Sequence, residues 1–307
     1  MSIAFLYAGQ GSQHPGMGAD LYETYPQFRA VLDGADLDFD VKEVSFQDSQ
    51  GVLNETRYTQ PCMVAFAVGV TQILNHEGIR PDYVAGLSLG EYSALQAAGV
   101  FTPQQAISLV AFRGKVMAEA AKDVPCGMTA VLGLDRAKLE QACEQASALG
   151  VVCIANYNCP GQLVIGGHQE AVDEAARLAK EMGARRCMPL KVSGPFHTPL
   201  LKPAGDALAE KFKGETFGEM QVPVLFNCLG REMGPDDTIP ALLERQVQSS
   251  VYMEDTIRRL DELGVDTIVE IGPGKVLSGF VRKTTPEIKT YAVETVADVQ
   301  ALVQALK

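Results

Sequence analysis

The chain has 307 residues, 47% hydrophobic and 21% charged, the mix of a folded globular protein and far from a disordered one. At this length it can bury a large core without disulfides or a structural metal. With 26 Lys plus Arg against 38 Asp plus Glu, the net charge of −12 disfavours nucleic acid and anionic lipid as general partners.

The N-terminus has no basic segment before its apolar residues, so no secretory leader is expected. Ile3 to Tyr7 reads as a short buried strand running into the glycine-rich loop Gly9-Gln10-Gly11-Ser12-Gln13. Thr59-Gln60-Pro61 is expected to open a helix reaching Leu74, and the apolar stretch Met63 to Leu74 is too short to span a bilayer. Tyr83 to Ala85 reads as a strand, Leu89 to Ala98 as a helix, and Thr102-Pro103 as the start of a helix ending near Ala121. This alternation predicts an α/β fold with a parallel sheet.

From Gly127 to Val192 the rhythm changes. Strands are expected at Met128–Leu132, Val151–Asn156, Leu163–Gly166 and Arg186–Val192, with helices at 136–148 and 170–182. The turn Asn158-Cys159-Pro160-Gly161 joins the middle strands. The order β-α-β-β-α-β is that of a ferredoxin-like unit. The predicted organisation is a large domain over 1–126 and 193–307, with a small subdomain at 127–192. Later strands are expected at Val222–Phe226 and Thr267–Glu270.

The seven cysteines, an odd number, show no Cys-x-x-Cys or other metal-ligand spacing. Free thiols in a reducing cytoplasm are the expected state, and no metal is expected.

Gly86-Leu87-Ser88-Leu89-Gly90 is a G-x-S-x-G pentapeptide between a strand and a helix. In that context the glycines allow a sharp turn that presents Ser88, and the helix start offers N–H groups to an oxyanion. The bland alternative is a Gly-Ser loop that starts a helix. Of the four histidines, His76 reads as solvated, His14 as a loop residue and His168 as a cap of the second small-subdomain helix. His197, in Gly194-Pro195-Phe196-His197, lies where the chain leaves the small subdomain, and elimination favours it as general base. Arg113 shares an apolar helical stripe with Ala106, Val110 and Met117. It needs either a structural carboxylate or the free carboxylate of a dicarboxylic acyl substrate. The Gly9-Gln10-Gly11 loop fails as a dinucleotide fingerprint, because His14 occupies the third glycine position. It suits delivery of the Gln10 N–H as an oxyanion donor. Gly272-Pro273-Gly274 reads as a structural turn.

Taken in order, Ala8–Gln13, Thr59-Gln60-Pro61, Gly86–Leu95, Arg113-Gly114, Asn156–Gln162, Gly194–His197 and Glu270–Gly274 resemble the malonyl-CoA:acyl carrier protein transacylases across nearly the whole chain. The resemblance implies an α/β-hydrolase-like large domain with a ferredoxin-like insertion. It implies an acyltransferase with malonyl-CoA and acyl carrier protein as partners, working by a ping-pong route without cofactor. Ser88 would be the nucleophile and His197 the base, oriented by the main chain at Gln246 in place of an acid. Gln10 and Leu89 would supply oxyanion N–H groups. Arg113 would take the malonyl carboxylate, with Gln60, Asn158 and Phe196 at the substrate. Phe196 resembles the bulky residue of malonyl-selective members. Leu87 departs from the histidine common before the nucleophile.

A cytoplasmic monomer is expected, with no nucleic-acid or membrane partner. Arg185-Arg186, with Lys180 and Lys191, is the candidate docking patch for the acidic carrier. A thioesterase, a trans-acting polyketide acyltransferase and a non-catalytic carrier-docking module are the alternatives. Arg113 disfavours the first, and the paired serine and histidine disfavour the last.

Overall fold

Ile3-Ala4-Phe5-Leu6-Tyr7 is apolar without alternation, the pattern of a strand covered on both faces. In the computed structural model, which describes residues 1–307, all five are buried. This strand pairs in parallel with Tyr83–Gly86 on one side and Thr267–Ile271 on the other. Val224–Phe226 and Lys289–Val293 extend the sheet outward, also in parallel. Parallel strands leave all their C-terminal ends on one edge, where α/β sheets carry their ligands. The loops at Gly9, Leu87, Gly272 and Glu294 leave from that edge.

The chain forms two compact units. The first holds this sheet and comprises Met1–Lys115, Phe217–Phe226 and Ile257–Lys307. The second comprises Val116–Thr216 and Asn227–Thr256. Its sheet runs in the order Arg186–Pro189, Cys126–Leu132, Gln162–His168, Val152–Cys159, Val251–Tyr252. The first four strands are antiparallel neighbours and the last pairs in parallel. Helices Arg136–Ala146 and Gln169–Glu181 cover one face, burying Leu139, Cys143, Val172 and Ala175 against Val131, Ile154 and Ile165. Arg136 holds its helix in place by pairing with Glu254 at 3.2 Å and Asp255 at 2.7 Å.

Several elements differ from their sequence-based expectation. The first long helix spans Thr56–His76 and starts a turn before Pro61, because the Glu55 carbonyl accepts the Tyr58 and Thr59 N–H groups. Asn158 lies within a strand rather than a turn. The turn is only Pro160-Gly161, since proline supplies a fixed φ and Gly161 the positive one (70°). The strand from Arg186 stops at Pro189, after which the Leu190 N–H makes one more bond, to the Met128 carbonyl at 2.9 Å. His168 does not cap its helix with its side chain; Nδ1 accepts the Val151 N–H at 2.9 Å. Lys289–Val293 is a strand that its polar composition concealed.

No helix is long and apolar enough to cross a membrane, and no three His, Cys, Asp or Glu side chains are placed to hold a metal ion. None of the seven cysteines forms a disulfide. Burial pushes the Cys62 and Cys143 thiols up to about 12 and Cys153 up to about 11.

Candidate active site

The strand Tyr83–Gly86 hands over to the helix Gly90–Ala97 in three residues. Such a turn needs bare backbone. A Cβ on Gly86 would stand 2.1 Å from the Gly90 carbonyl carbon, and one on Gly90 2.4 Å from the Tyr7 carbonyl oxygen. Ser88, at the apex, has φ of 56°, which costs a non-glycine residue on the order of 1–3 kcal/mol. The Leu87 N–H donates to the Tyr7 carbonyl at 2.9 Å and ties the elbow to the central strand. Leu89 immediately precedes the helix, whose N-terminal dipole favours negative charge beside Ser88.

Arg113 sits in the helix Pro103–Ala121 with no solvent exposure, as do Ala106 and Val110 on the same stripe. Its Nη1 donates to Gln60 Oε1 at 2.7 Å and its Nη2 to Ser88 Oγ at 3.1 Å. The guanidinium carbon lies 5.7 Å from the centre of the Tyr92 ring. Burial pulls the Arg113 pKa down, and Tyr92 and Glu91 act the other way; guanidinium is basic enough to stay charged. One buried cation thus touches both the serine hydroxyl and the Gln60 amide oxygen. Gln60 reaches it because Gly114 lets the two helices approach closely: a Cβ there would lie 2.8 Å from the Thr56 carbonyl.

Gly9 brings the first loop against the elbow, since a Cβ on it would lie 2.8 Å from the Leu87 carbonyl and 3.1 Å from the Leu87 Cγ. Leu87 therefore packs on the loop through its apolar side chain. The next residue, Gln10, donates its side-chain amide to Thr56 Oγ1 at 3.1 Å.

In the second unit, buried His197 has φ of 59° and Nδ1 2.9 Å from the Gln246 carbonyl. Gln246 ends the helix Ile239–Gln246, and the last carbonyls of a helix have no partner within it. A carbonyl only accepts, so Nδ1 carries the proton and Nε2 is left basic. Phe196 is half-buried against Met128, Ala130, Ala155 and Val164. Asn158 is buried in its strand, whereas Arg185 and Arg186 are exposed at the start of an edge strand.

The sequence-predicted residues thus fall into two sets, Ser88–Arg113–Gln60 with the Gln10 loop, and His197–Gln246 with Phe196. Thr56 joins the first set without a motif of its own. Tyr92, on the first turn of the helix after the elbow, joins it from within the Gly86–Leu95 stretch.

A serine on a strained elbow before a helix, beside a buried cation, is a site built for acyl groups. The chain belongs to the acyl transferase domain family, whose model matches residues 4–302. It is an acyltransferase. The malonyl CoA-acyl carrier protein transacylase of Bacillus subtilis is 41% identical over 99% of this chain and 97% of its own. The crystal structure of MCAT from Streptococcus pneumoniae is 45% identical, with a TM-score of 0.95 over 99% of this chain and all of that one. A malonyl-transacylase in complex with its type II PKS acyl-carrier protein is 37% identical, with a TM-score of 0.95 over 99% of this chain and 100% of that one.

Proposed function

We propose that this acyltransferase moves a malonyl group from malonyl-CoA to the phosphopantetheine thiol of an acyl carrier protein, through a malonyl-Ser88 ester, for fatty-acid synthesis. The observation that carries the reading is the fully buried Arg113 guanidinium, 3.1 Å from the Ser88 hydroxyl. A plain hydrolase has no need of a buried cation beside its serine. A malonyl thioester does need one, because its far end is a carboxylate.

His197 Nε2 takes the Ser88 proton as Oγ attacks the thioester carbonyl. The C–S bond breaks, and the proton passes to the departing CoA sulfur. In the second half-reaction the carrier thiol gives its proton to His197, attacks the ester carbonyl, and Ser88 leaves with that proton. The Gln10 and Leu89 N–H groups receive the oxyanion in both steps, where each donor is worth about 10²–10³ in rate. Arg113 and Gln60 hold the malonyl carboxylate end, with Asn158 lining the site. Phe196 excludes a methyl branch. The chemistry needs no metal or bound cofactor.

The sheet of the first unit suits an α/β-hydrolase-like domain (1–126 and 193–307), and the β-α-β-β-α-β order within the second suits a ferredoxin-like subdomain (127–192). A monomer in the cytoplasm, with no nucleic-acid or membrane partner, fits the acidic surface. Arg185 and Arg186 are the proposed docking point for the carrier.

Ser88→Ala tests the reading. After mixing with malonyl-CoA, intact-mass measurement should find one malonyl adduct on the unaltered protein and none on the variant. An adduct that survives overturns the nucleophile. Polyketide carrier loading is the second reading, favoured by the similarity to a transacylase bound to a polyketide carrier. Transfer rates to fatty-acid and polyketide carriers, measured side by side, separate the two.

A further inference from the structure

The loops leaving the C-terminal edge of the first unit's sheet touch one another in series. Gly9 lies on Leu87, as described above. A Cβ on Gly272 would fall 2.4 Å from the Ala8 Cβ, and one on Gly274 3.8 Å from the Ser12 Cβ. The last link is Glu294, the residue after the strand Lys289–Val293. Its Oε2 accepts the Gly274 N–H at 2.9 Å, and its Oε1 lies 2.5 Å from His14 Nε2. One carboxylate therefore ties the Gly272–Gly274 turn to the far end of the loop that begins at Gly9.

The His14 ring is bound at both nitrogens, since Nδ1 lies 3.0 Å from the Pro15 carbonyl. A carbonyl oxygen and a carboxylate oxygen are both acceptors. Neutral imidazole has one N–H and would turn a lone pair toward one of them; only imidazolium serves both. Glu294 is the charged group facing His14, and its hydrogen bond raises the His14 pKa above the ordinary value. Behind Glu294, Asp298 accepts the Glu294 N–H at 3.1 Å and Asp20 accepts the Val296 N–H at 2.8 Å. The carboxylate that holds His14 is thus itself anchored to the rest of the unit.

We propose that His14 and Glu294 are a positioning pair that holds the Gly9–His14 loop, and the Gln10 N–H with it, where the oxyanion forms, and that the hold is strongest while His14 is protonated. The inference rests on the reading of Gln10 as an oxyanion donor. It places a charged tie at the opposite end of the loop from the reacting serine. A group whose pKa is raised by its partner keeps the charge-assisted part of that interaction below its pKa and loses that part as pH rises through it. The acylation rate should therefore carry a partial falling limb on the alkaline side, set by His14.

The test compares H14A and H14Q with the unaltered full chain, by stopped-flow acylation with malonyl-CoA and by hydrogen exchange of residues 9–14. H14A should speed exchange in that loop and lower the acylation rate constant by about 10- to 100-fold, short of the roughly 10²–10³ for complete loss of a donor. Its KM for malonyl-CoA should stay within about twofold, since Arg113 and Gln60 are untouched. H14Q, whose amide can donate to Glu294 without charge and without titrating, should recover part of the rate and lose the alkaline limb. Unchanged exchange in H14A overturns the pair and leaves the Gln10 reading standing. Faster exchange with unchanged acylation instead removes Gln10 from the oxyanion site. An alkaline limb retained in H14Q overturns the dependence on the His14 proton.

Discussion

Replacing Arg113 with alanine removes a fully buried cation. A charge-assisted hydrogen bond contributes about 1.5–3 kcal/mol, so a bidentate carboxylate pair predicts a loss of about 10²–10⁴ in malonyl kcat/KM. Acetyl transfer, which offers no carboxylate, should fall far less; equal losses would make Arg113 structural. His197→Ala should slow acylation by about 10³–10⁴, as loss of a triad base does. The Gln246 carbonyl cannot be removed by changing a side chain, so Gln246→Ala should preserve far more activity than His197→Ala. Phe196 packs on a small apolar cluster, and Phe196→Ser should let methylmalonyl transfer rise relative to malonyl in competition assays.

Two glycines should respond to alanine with opposite signs. At Gly90 the added carbon meets main-chain oxygen at 2.4 Å, so Gly90→Ala should cost about 1–3 kcal/mol or more in urea unfolding and abolish acylation. At Gly279, within the helix Val276–Thr284, nothing lies within 4 Å, and Gly279→Ala should gain about 0.4–1 kcal/mol. The elbow was legible because its constraint is local: strand, glycine, serine, glycine and helix are contiguous. The apolar stripe of the Pro103–Ala121 helix was legible for the same reason. What lay beyond reach were pairings across sequence distance. Nothing near Arg113 says that Gln60, 53 residues away, accepts its Nη1. His197 is steadied by a main-chain carbonyl, which no side-chain pattern announces; only the family resemblance pointed to it. Lys289–Val293 escaped because a strand with exposed and half-buried positions does not read as an apolar run.

At the scale of the whole molecule, the net charge of −12 opposes an acidic carrier protein, so encounter must depend on a local positive surface. Arg185 and Arg186 are exposed on the edge strand, with exposed Lys180 and Lys191 close in sequence. Reversing both arginines to glutamate should raise KM for the carrier and leave acylation by malonyl-CoA nearly unchanged. The unaltered protein should lose carrier affinity as salt rises, and the double variant should respond less. Loss of both half-reactions together would mean that the arginines shape the fold or meet CoA. No effect on either would move the docking surface elsewhere.

The seven cysteines, none of which forms a disulfide, bear on where an acyl group is carried. The acyl donor and the acylated carrier are both thioesters, and any accessible thiolate would exchange with them and carry malonyl on sulfur instead of oxygen. Thiols raised to about 12 at Cys62 and Cys143, and about 11 at Cys153, are almost wholly protonated at neutral pH and make poor nucleophiles there. Burial thereby silences these three as competing acyl acceptors, and it raises the Cys126 and Cys187 thiols as well. Hydroxylamine at neutral pH, which cleaves thioesters faster than oxygen esters, should release little malonate from the acylated protein, and thiol alkylation of the native chain should leave the malonyl stoichiometry at one.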